Sequence, residues 1–158
     1  MYNRILAPID GSPTSNRGLL EAIELAKDQQ AKLRLLHVVD ESFLTLDMYG
    51  TLNWGDVIGA LREGGAELIS RAKALAASHG VEAEGVVVET LGERVGDKIL
   101  HEARECGADI IVMGTHGRRG FKHLVLGSDA EAVVHQAPAP VLLIRAVPDE
   151  DGAKKNQL

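Results

Sequence analysis

The fold is decided by one stretch of the sequence, residues 109–134, which reads DIIVMGTHGRRGFKHLVLGSDAEAVV. Its apolar start, Ile110 to Met113, predicts a buried strand, and the residues from Ser128 onward show the apolar spacing of a helix. Glycines interrupt the connection between them, which also carries arginine and lysine side chains. A helix that begins just after a glycine presents unpaired N–H groups and the positive end of its dipole, and such helix starts bind anions. The stretch therefore predicts a phosphate site between a strand and a helix.

The composition of the chain limits the classes of protein to which it can belong. Its 158 residues fit one domain. A net charge of −6 with 3% aromatic residues argues against a nucleic-acid surface, which needs clustered cations and stacking rings. The single cysteine, Cys106, excludes an internal disulfide, and we expect it to be a buried apolar residue rather than a nucleophile. Without a signal peptide or a long apolar run, the sequence predicts a cytoplasmic protein with no membrane partner.

Strand and helix patterns alternate along the rest of the chain. We predict strands at 2–9, 32–39, 81–90, 109–113 and 141–145. Helices are predicted to follow Ser12 and Glu93 and to begin at Asp56 and Ser128. Residues 40–55 have no clean period and are predicted to form a mobile connection. The polar residues 147–158 are predicted to be a disordered tail after a single domain of residues 1–146.

This alternation predicts a doubly wound α/β fold. Strand–helix–strand units with right-handed crossovers build a parallel sheet with helices on both faces. In such sheets a ligand lies beyond the carboxyl ends of the strands, where the strand order reverses. Three segments should meet at this edge: Pro8-Ile9-Asp10, Val38-Val39-Asp40, and the stretch from Met113 and Gly114 to Ser128. The sequence thus predicts a ligand site there.

The same segments resemble the universal stress protein family, in its nucleotide-binding branch. The resemblance covers residues 1 to about 146 and is carried by Gly114-x2-Gly117-x9-Gly127-Ser128, Asp10-Gly11-Ser12, Leu36-His37-Val38-Val39 and Pro140-Val141-Leu142-Leu143. It implies a five-stranded sheet in the order 3-2-1-4-5, of the Rossmann-like, adenine nucleotide alpha hydrolase-like type. It further implies ATP as the ligand, with AMP or ADP as alternatives, and a homodimer through the strand at residues 141–145.

The resemblance also implies which residues bind the nucleotide. Adenine and ribose would be held by the first two segments, through Pro8, Ile9, Asp10 and Val38. The phosphates would be held by the glycine motif, through Met113, Gly114, His116, Gly117, Gly127, Ser128, Asp129 and Ala130, the last two by their backbone N–H groups. Arg118 and Arg119 could neutralise the phosphates, or they could be ordinary solvated cations. Asp10 could also be a plain turn residue, although the fold directs it toward the ligand.

Ser128 and Asp129 each have a second interpretation. Ser128-Asp129-Ala130-Glu131 has the form of a capping box, in which the serine hydroxyl accepts a hydrogen bond from the Glu131 N–H and can still donate to phosphate. Asp129 departs from the family, which more often has a neutral residue here, and it puts a carboxylate beside the expected triphosphate. We therefore hypothesise a Mg²⁺ ion, held by the phosphates and water, that offsets the repulsion. The histidines show no metal-ligand spacing, so no protein-bound metal is expected.

The sequence favours a binding module over an enzyme. No side chain is clearly placed as a general base, so no catalytic residue is predicted, and neither a Walker lysine-serine pair nor a G-x-G-x-x-G pattern is present. We expect a regulatory module of the stress response whose nucleotide occupancy changes the surface that it offers to a protein partner. Two alternatives stay open: a slow ATPase or phosphotransferase using the same pocket, and an interaction scaffold without nucleotide.

Overall fold

The computed structural model describes residues 1–42, 53–115 and 126–145. Its elements are β1 (Arg4–Pro8), α1 (Pro13–Gln29), β2 (Lys32–Asp40), α2 (Trp54–Ser78), β3 (Ala83–Thr90), α3 (Val95–Glu105), β4 (Ile110–Gly114), α4 (Ser128–Gln136) and β5 (Val141–Ile144). Each strand and helix predicted from the sequence is confirmed. Helix α1 begins as its sequence indicates, with Ser12 as the cap and Pro13 in the first position, because the Ser12 hydroxyl accepts from the Ser15 N–H at 3.2 Å.

The strands form one parallel sheet in the order β3-β2-β1-β4-β5, which confirms the predicted topology. Side chains alternate across the sheet, so that Ile5 and Ala7 of β1 join one buried cluster and Leu6 joins the other. Helices α1 and α2 cover the first face, and α3 and α4 cover the second. Strand β1 lies between β2 and β4, so the order reverses between β1 and β4, where the first and fourth strands end side by side.

The connection predicted at residues 40–55 is shorter than expected at both ends. Asp40 still belongs to β2, where it pairs with Thr90, and Gly55 already belongs to α2. Asp56, predicted to begin the helix, lies in its first turn. Its carboxylate accepts from the Asn53 side-chain amide at 2.7 Å. The negative charge is also stabilised by the positive end of the helix dipole. Residues 43–52 of the connection, and the predicted tail at 147–158, lie outside the described residues.

An ion pair ties α3 to the sheet. Arg34 of β2 donates to Glu102 of α3 at 2.5 Å and to Glu84 of β3 at 2.9 Å. Partial burial would lower the pKa of Arg34, but its bonds with Glu102 and Glu84 leave the pKa raised.

Cys106 is half-buried rather than fully buried, and its burial raises the pKa of the thiol. A raised thiol pKa lowers the fraction of thiolate, the reactive form of cysteine, at neutral pH.

Candidate functional site

The site is the edge of the sheet at which β1, β2 and β4 end, hereafter the carboxyl edge. Helix α1 starts directly against the end of β4: a Cβ placed on Gly114 would lie 3.0 Å from the Thr14 carbonyl carbon and 3.1 Å from the Ser15 nitrogen. A Cβ on Gly18, one turn further along α1, would lie 3.3 Å from the Gly114 nitrogen. Glycine at 114 therefore lets the first turn of α1 pack directly against the end of β4.

The end of β1 is shaped by Asp10. One of its carboxylate oxygens accepts from the Ser12 N–H at 2.9 Å, and its own N–H donates to the Ser15 hydroxyl at 2.9 Å. This is an Asx turn that leads from the strand into α1, so the turn role anticipated for Asp10 is confirmed. The residue is half-buried at the carboxyl edge, beside Pro8 and the buried Ile9.

Backbone pairing between β1 and β2 stops just before Val38. The Ile9 N–H donates to the Leu36 carbonyl at 2.8 Å, and the next bond of a parallel ladder would join Val38 to Ile9. Among the described residues that bond is not formed, and the Ile9 carbonyl instead accepts from His37 Nδ1 at 2.8 Å. His37 is buried, and this contact with backbone satisfies its ring nitrogen. The backbone of Val38 is left facing the space beyond the end of β1.

We expect replacement of His37 by leucine to destabilise the fold. The Ile9 carbonyl would lose its donor in a buried position, which costs about 1–3 kcal/mol. His37→Asn keeps an N–H donor near the position of Nδ1 and is expected to lose less. Urea denaturation of the two variants checks this, and a leucine variant as stable as the unmodified protein would contradict it.

Helix α4 begins at the carboxyl edge, and its first amides have no backbone partner among the described residues. The Gly127 N–H donates to the Thr115 carbonyl at 2.9 Å, and the Gly127 carbonyl accepts from the Glu131 N–H at 2.8 Å. The N–H groups of Ser128, Asp129 and Ala130 donate to no backbone carbonyl among the described residues. Adjacent free donors at the positive end of a helix are groups that can bind an anion.

The capping box predicted at Ser128 is wrong. Gly127, not Ser128, occupies the cap position, and the Glu131 N–H bonds to the Gly127 carbonyl rather than to the serine hydroxyl. The helix therefore starts one residue earlier than a serine cap would place it. Ser128 becomes the first helical residue, and its exposed side chain makes no capping bond.

The Asp129 side chain turns toward α3. Its Oδ1 accepts from the Gly96 N–H at 3.0 Å, in the first turn of that helix. The positive end of α3 therefore offsets part of the charge that the sequence places beside the expected phosphates.

The remaining predicted site residues divide into two groups. Met113 is buried and Gly114 half-buried at the end of β4. His116, Gly117, Arg118 and Arg119 lie outside the described residues.

Within the described ranges no three His, Cys, Asp or Glu side chains are grouped so as to hold a metal ion. None of the helices described there has the length and apolar character needed to cross a bilayer.

A doubly wound parallel sheet with a helix start at its strand-order reversal defines the class of Rossmann-like α/β domains. Residues 1–145 match the model of the universal stress protein family, and the chain belongs to that family.

Relatives of known sequence or structure agree with this assignment. Universal stress protein YxiE of Bacillus subtilis is 38% identical over 151 residues, which cover 92% of this chain and 100% of the relative. A universal stress protein family structure from Burkholderia pseudomallei is 36% identical with a TM-score of 0.75, covering 92% of this chain and 97% of that one. The universal stress protein from Archaeoglobus fulgidus in complex with dAMP is 26% identical with a TM-score of 0.63, covering 90% of this chain and 98% of that one.

Proposed function

We propose that this chain binds ATP at the carboxyl edge and acts as a nucleotide-dependent regulatory module of the stress response. The observation that carries the proposal is the set of N–H groups at Ser128, Asp129 and Ala130, at the positive end of α4, which donate to no backbone carbonyl of the described residues. The Archaeoglobus fulgidus relative, which is in complex with dAMP, supports an adenine nucleotide as the class of ligand.

In this proposal the adenosine lies between the ends of β1 and β2. The backbone of Val38, which does not pair with Ile9, offers an N–H and a carbonyl to the edge of the base. The half-buried Asp10 stands at the end of β1, where a carboxylate can accept from a ribose hydroxyl or from the base. Pro8, Ile9 and Met113 supply apolar surface on the two sides of the strand-order reversal.

The phosphates would lie against the amides of α4 and the glycine segment that precedes it. Gly114, His116, Gly117, Gly127 and the hydroxyl of Ser128 belong to this part of the proposal, and Arg118 and Arg119 could add positive charge. A Mg²⁺ ion would be held by phosphate oxygens and water, since the described residues offer no carboxylate cluster for it. Nucleotide affinity that is the same in EDTA as in Mg²⁺ would contradict the metal.

A binding role fits the groups at the carboxyl edge better than hydrolysis does. Two acidic side chains at this edge are already engaged, Asp10 in its turn and Asp129 with α3, so neither of these two stands as an uncommitted base for an attacking water. Slow ATP hydrolysis is the second candidate and would appear as ADP formed by the pure protein. We infer that occupancy of the site alters the surface offered to a partner protein in the cytoplasm.

Mass spectrometry of small molecules released from the purified protein, followed by calorimetric titration with ATP, AMP and adenosine, tests the function. We expect a released adenine nucleotide and tighter binding of ATP than of AMP, because the amides of α4 contact the outer phosphates. Absence of any bound nucleotide, together with no heat of binding for all three, would favour the nucleotide-free scaffold.

We also propose a homodimer formed through β5. This strand is at the edge of the sheet, Leu142 on it is 39% exposed, and an uncovered apolar edge strand is prone to pair with another chain. Sedimentation at micromolar concentration should give a dimer, and Leu142→Lys should shift it toward monomer. A monomeric unmodified protein would contradict the interface.

A further inference from the structure

Helix α3 begins without a cap of its own. Arg94 occupies its cap position and makes no side-chain hydrogen bond to the helix. The donor in the first turn, the Gly96 N–H, instead bonds to Asp129 Oδ1 at 3.0 Å. Asp129 thus does for α3 what a serine or aspartate cap usually does within one helix, although it lies 33 residues away in the sequence.

The first turns of α3 and α4 are in direct contact around this bond. A Cβ on Gly96 would lie 3.2 Å from the Asp129 carbonyl oxygen and 3.3 Å from the Ala132 Cβ. Glycine at this position therefore allows the two helices to meet closely enough for the carboxylate to reach the Gly96 N–H. Helix α3 is itself fixed to the sheet by the Arg34–Glu102 pair. The bond between Asp129 and Gly96 thus connects the first turn of α4 to α3, which the Arg34–Glu102 pair holds against the sheet.

We propose that Asp129 is a positioning residue for the phosphate subsite, which acts by bonding to Gly96 and not by touching phosphate or metal. The proposal rests on the function proposed above. Because α3 holds the Asp129 side chain, the backbone N–H groups of Asp129 and its neighbours are fixed in direction before the ligand binds. The conformational entropy lost on binding is therefore smaller. The positive end of α3 compensates the carboxylate, which accounts for an acidic residue at this position.

Three variants separate this role from the alternatives. Asp129→Ala removes the bond and the charge. Asp129→Asn keeps an oxygen acceptor for the Gly96 N–H but removes the charge. Glu131→Ala is the matched control, because Glu131 is an exposed acidic residue in the same turn for which the structure shows no bond to α3. Affinities for ATP and adenosine are measured by calorimetry with Mg²⁺ and with EDTA, and amide exchange at Gly96 is followed by NMR.

We expect Asp129→Ala to lose roughly fivefold in ATP affinity relative to Glu131→Ala, with adenosine affinity unchanged. Asp129→Asn should bind ATP at least as tightly as the unmodified protein and should retain slow exchange at Gly96. A general loss of stability would reduce both affinities together, so the ratio of ATP to adenosine affinity isolates positioning.

Two results would overturn the inference while leaving the proposed function intact. One is an Asp129→Ala variant that binds ATP as tightly as Glu131→Ala. The other is an Asp129→Asn variant that loses ATP affinity only in Mg²⁺, which would make the carboxylate a metal ligand. Failure of the unmodified protein to bind ATP would overturn the proposed function as well, and so is distinguishable from both.

Discussion

Replacement of Ser128 by proline is expected to weaken ATP binding by about 10- to 100-fold without destabilising the protein. Proline deletes one of the three amide donors at the start of α4 that have no backbone partner among the described residues, and a hydrogen bond to a charged group is worth roughly 1.5–3 kcal/mol. The helix should tolerate it, because Ser128 is the first helical residue, the position that proline prefers. Gly127, with φ −62° and ψ 147°, already has the extended conformation favoured before proline.

Ser128→Ala is the matched control for this variant. It removes the hydroxyl and keeps the N–H, so it separates the contribution of the backbone from that of the side chain. We expect it to retain most of the ATP affinity. Calorimetric titration and thermal unfolding of both variants check the prediction. A proline variant that binds ATP normally would show that the Ser128 amide does not contact the ligand.

Replacement of Gly114 by alanine is expected to lower both stability and nucleotide affinity. The new methyl group would lie 3.0–3.1 Å from backbone atoms of Thr14 and Ser15 and the Thr14 Cβ, and a backbone cannot rotate away as a flexible side chain can. Overpacking of this kind costs about 1–3 kcal/mol, which lowers the midpoint of thermal unfolding by roughly 5 °C in a chain of this size. Separation of α1 from β4 would also widen the carboxyl edge at the proposed adenosine position.

Gly64→Ala serves as the control for the Gly114 variant. Gly64 lies inside α2, and beyond the neighbouring backbone of that helix no atom of the described residues lies within 4 Å of a Cβ placed there. Alanine at this position should raise stability by about 1 kcal/mol because it favours helix over glycine. The midpoints of thermal unfolding of the two variants should therefore move in opposite directions, and ATP affinity should fall only in the Gly114 variant. Equal stability for the two alanine variants would mean that the close approach of α1 to β4 is not needed.

The fold could be predicted from the sequence because its signals are local. Apolar runs such as Ile110 to Met113, broken by glycines and alternating with helical periodicity, leave few topologies open once crossovers are right-handed. The ends of elements were less predictable. Asp56 suits both a cap and a first helical turn, so its identity alone did not decide where α2 begins.

The sequence predicted the position of the candidate site better than its contacts. The S-x-x-E pattern at Ser128 is compatible with a capping box, but Gly127 can also occupy the cap position, and its carbonyl receives the Glu131 N–H instead. The bond between Asp129 and Gly96 joins residues that are adjacent only after α3 and α4 pack, so no local pattern indicates it. Gly18 and Gly96 are the one weak signal in the sequence for these contacts. A glycine inside or at the start of a helix can mark the place where another element packs closely against that helix.

The central claim is that the backbone amides at the start of α4 bind the phosphates of a nucleotide. The most direct measurement is an NMR titration of the ¹⁵N-labelled protein with ATP, with the amide resonances of Ser128, Asp129 and Ala130 followed individually. We predict that these amide protons move downfield and become protected from exchange, whereas those in the last turn of α4 stay unchanged. Saturable ATP binding that leaves all three resonances in place would contradict the account.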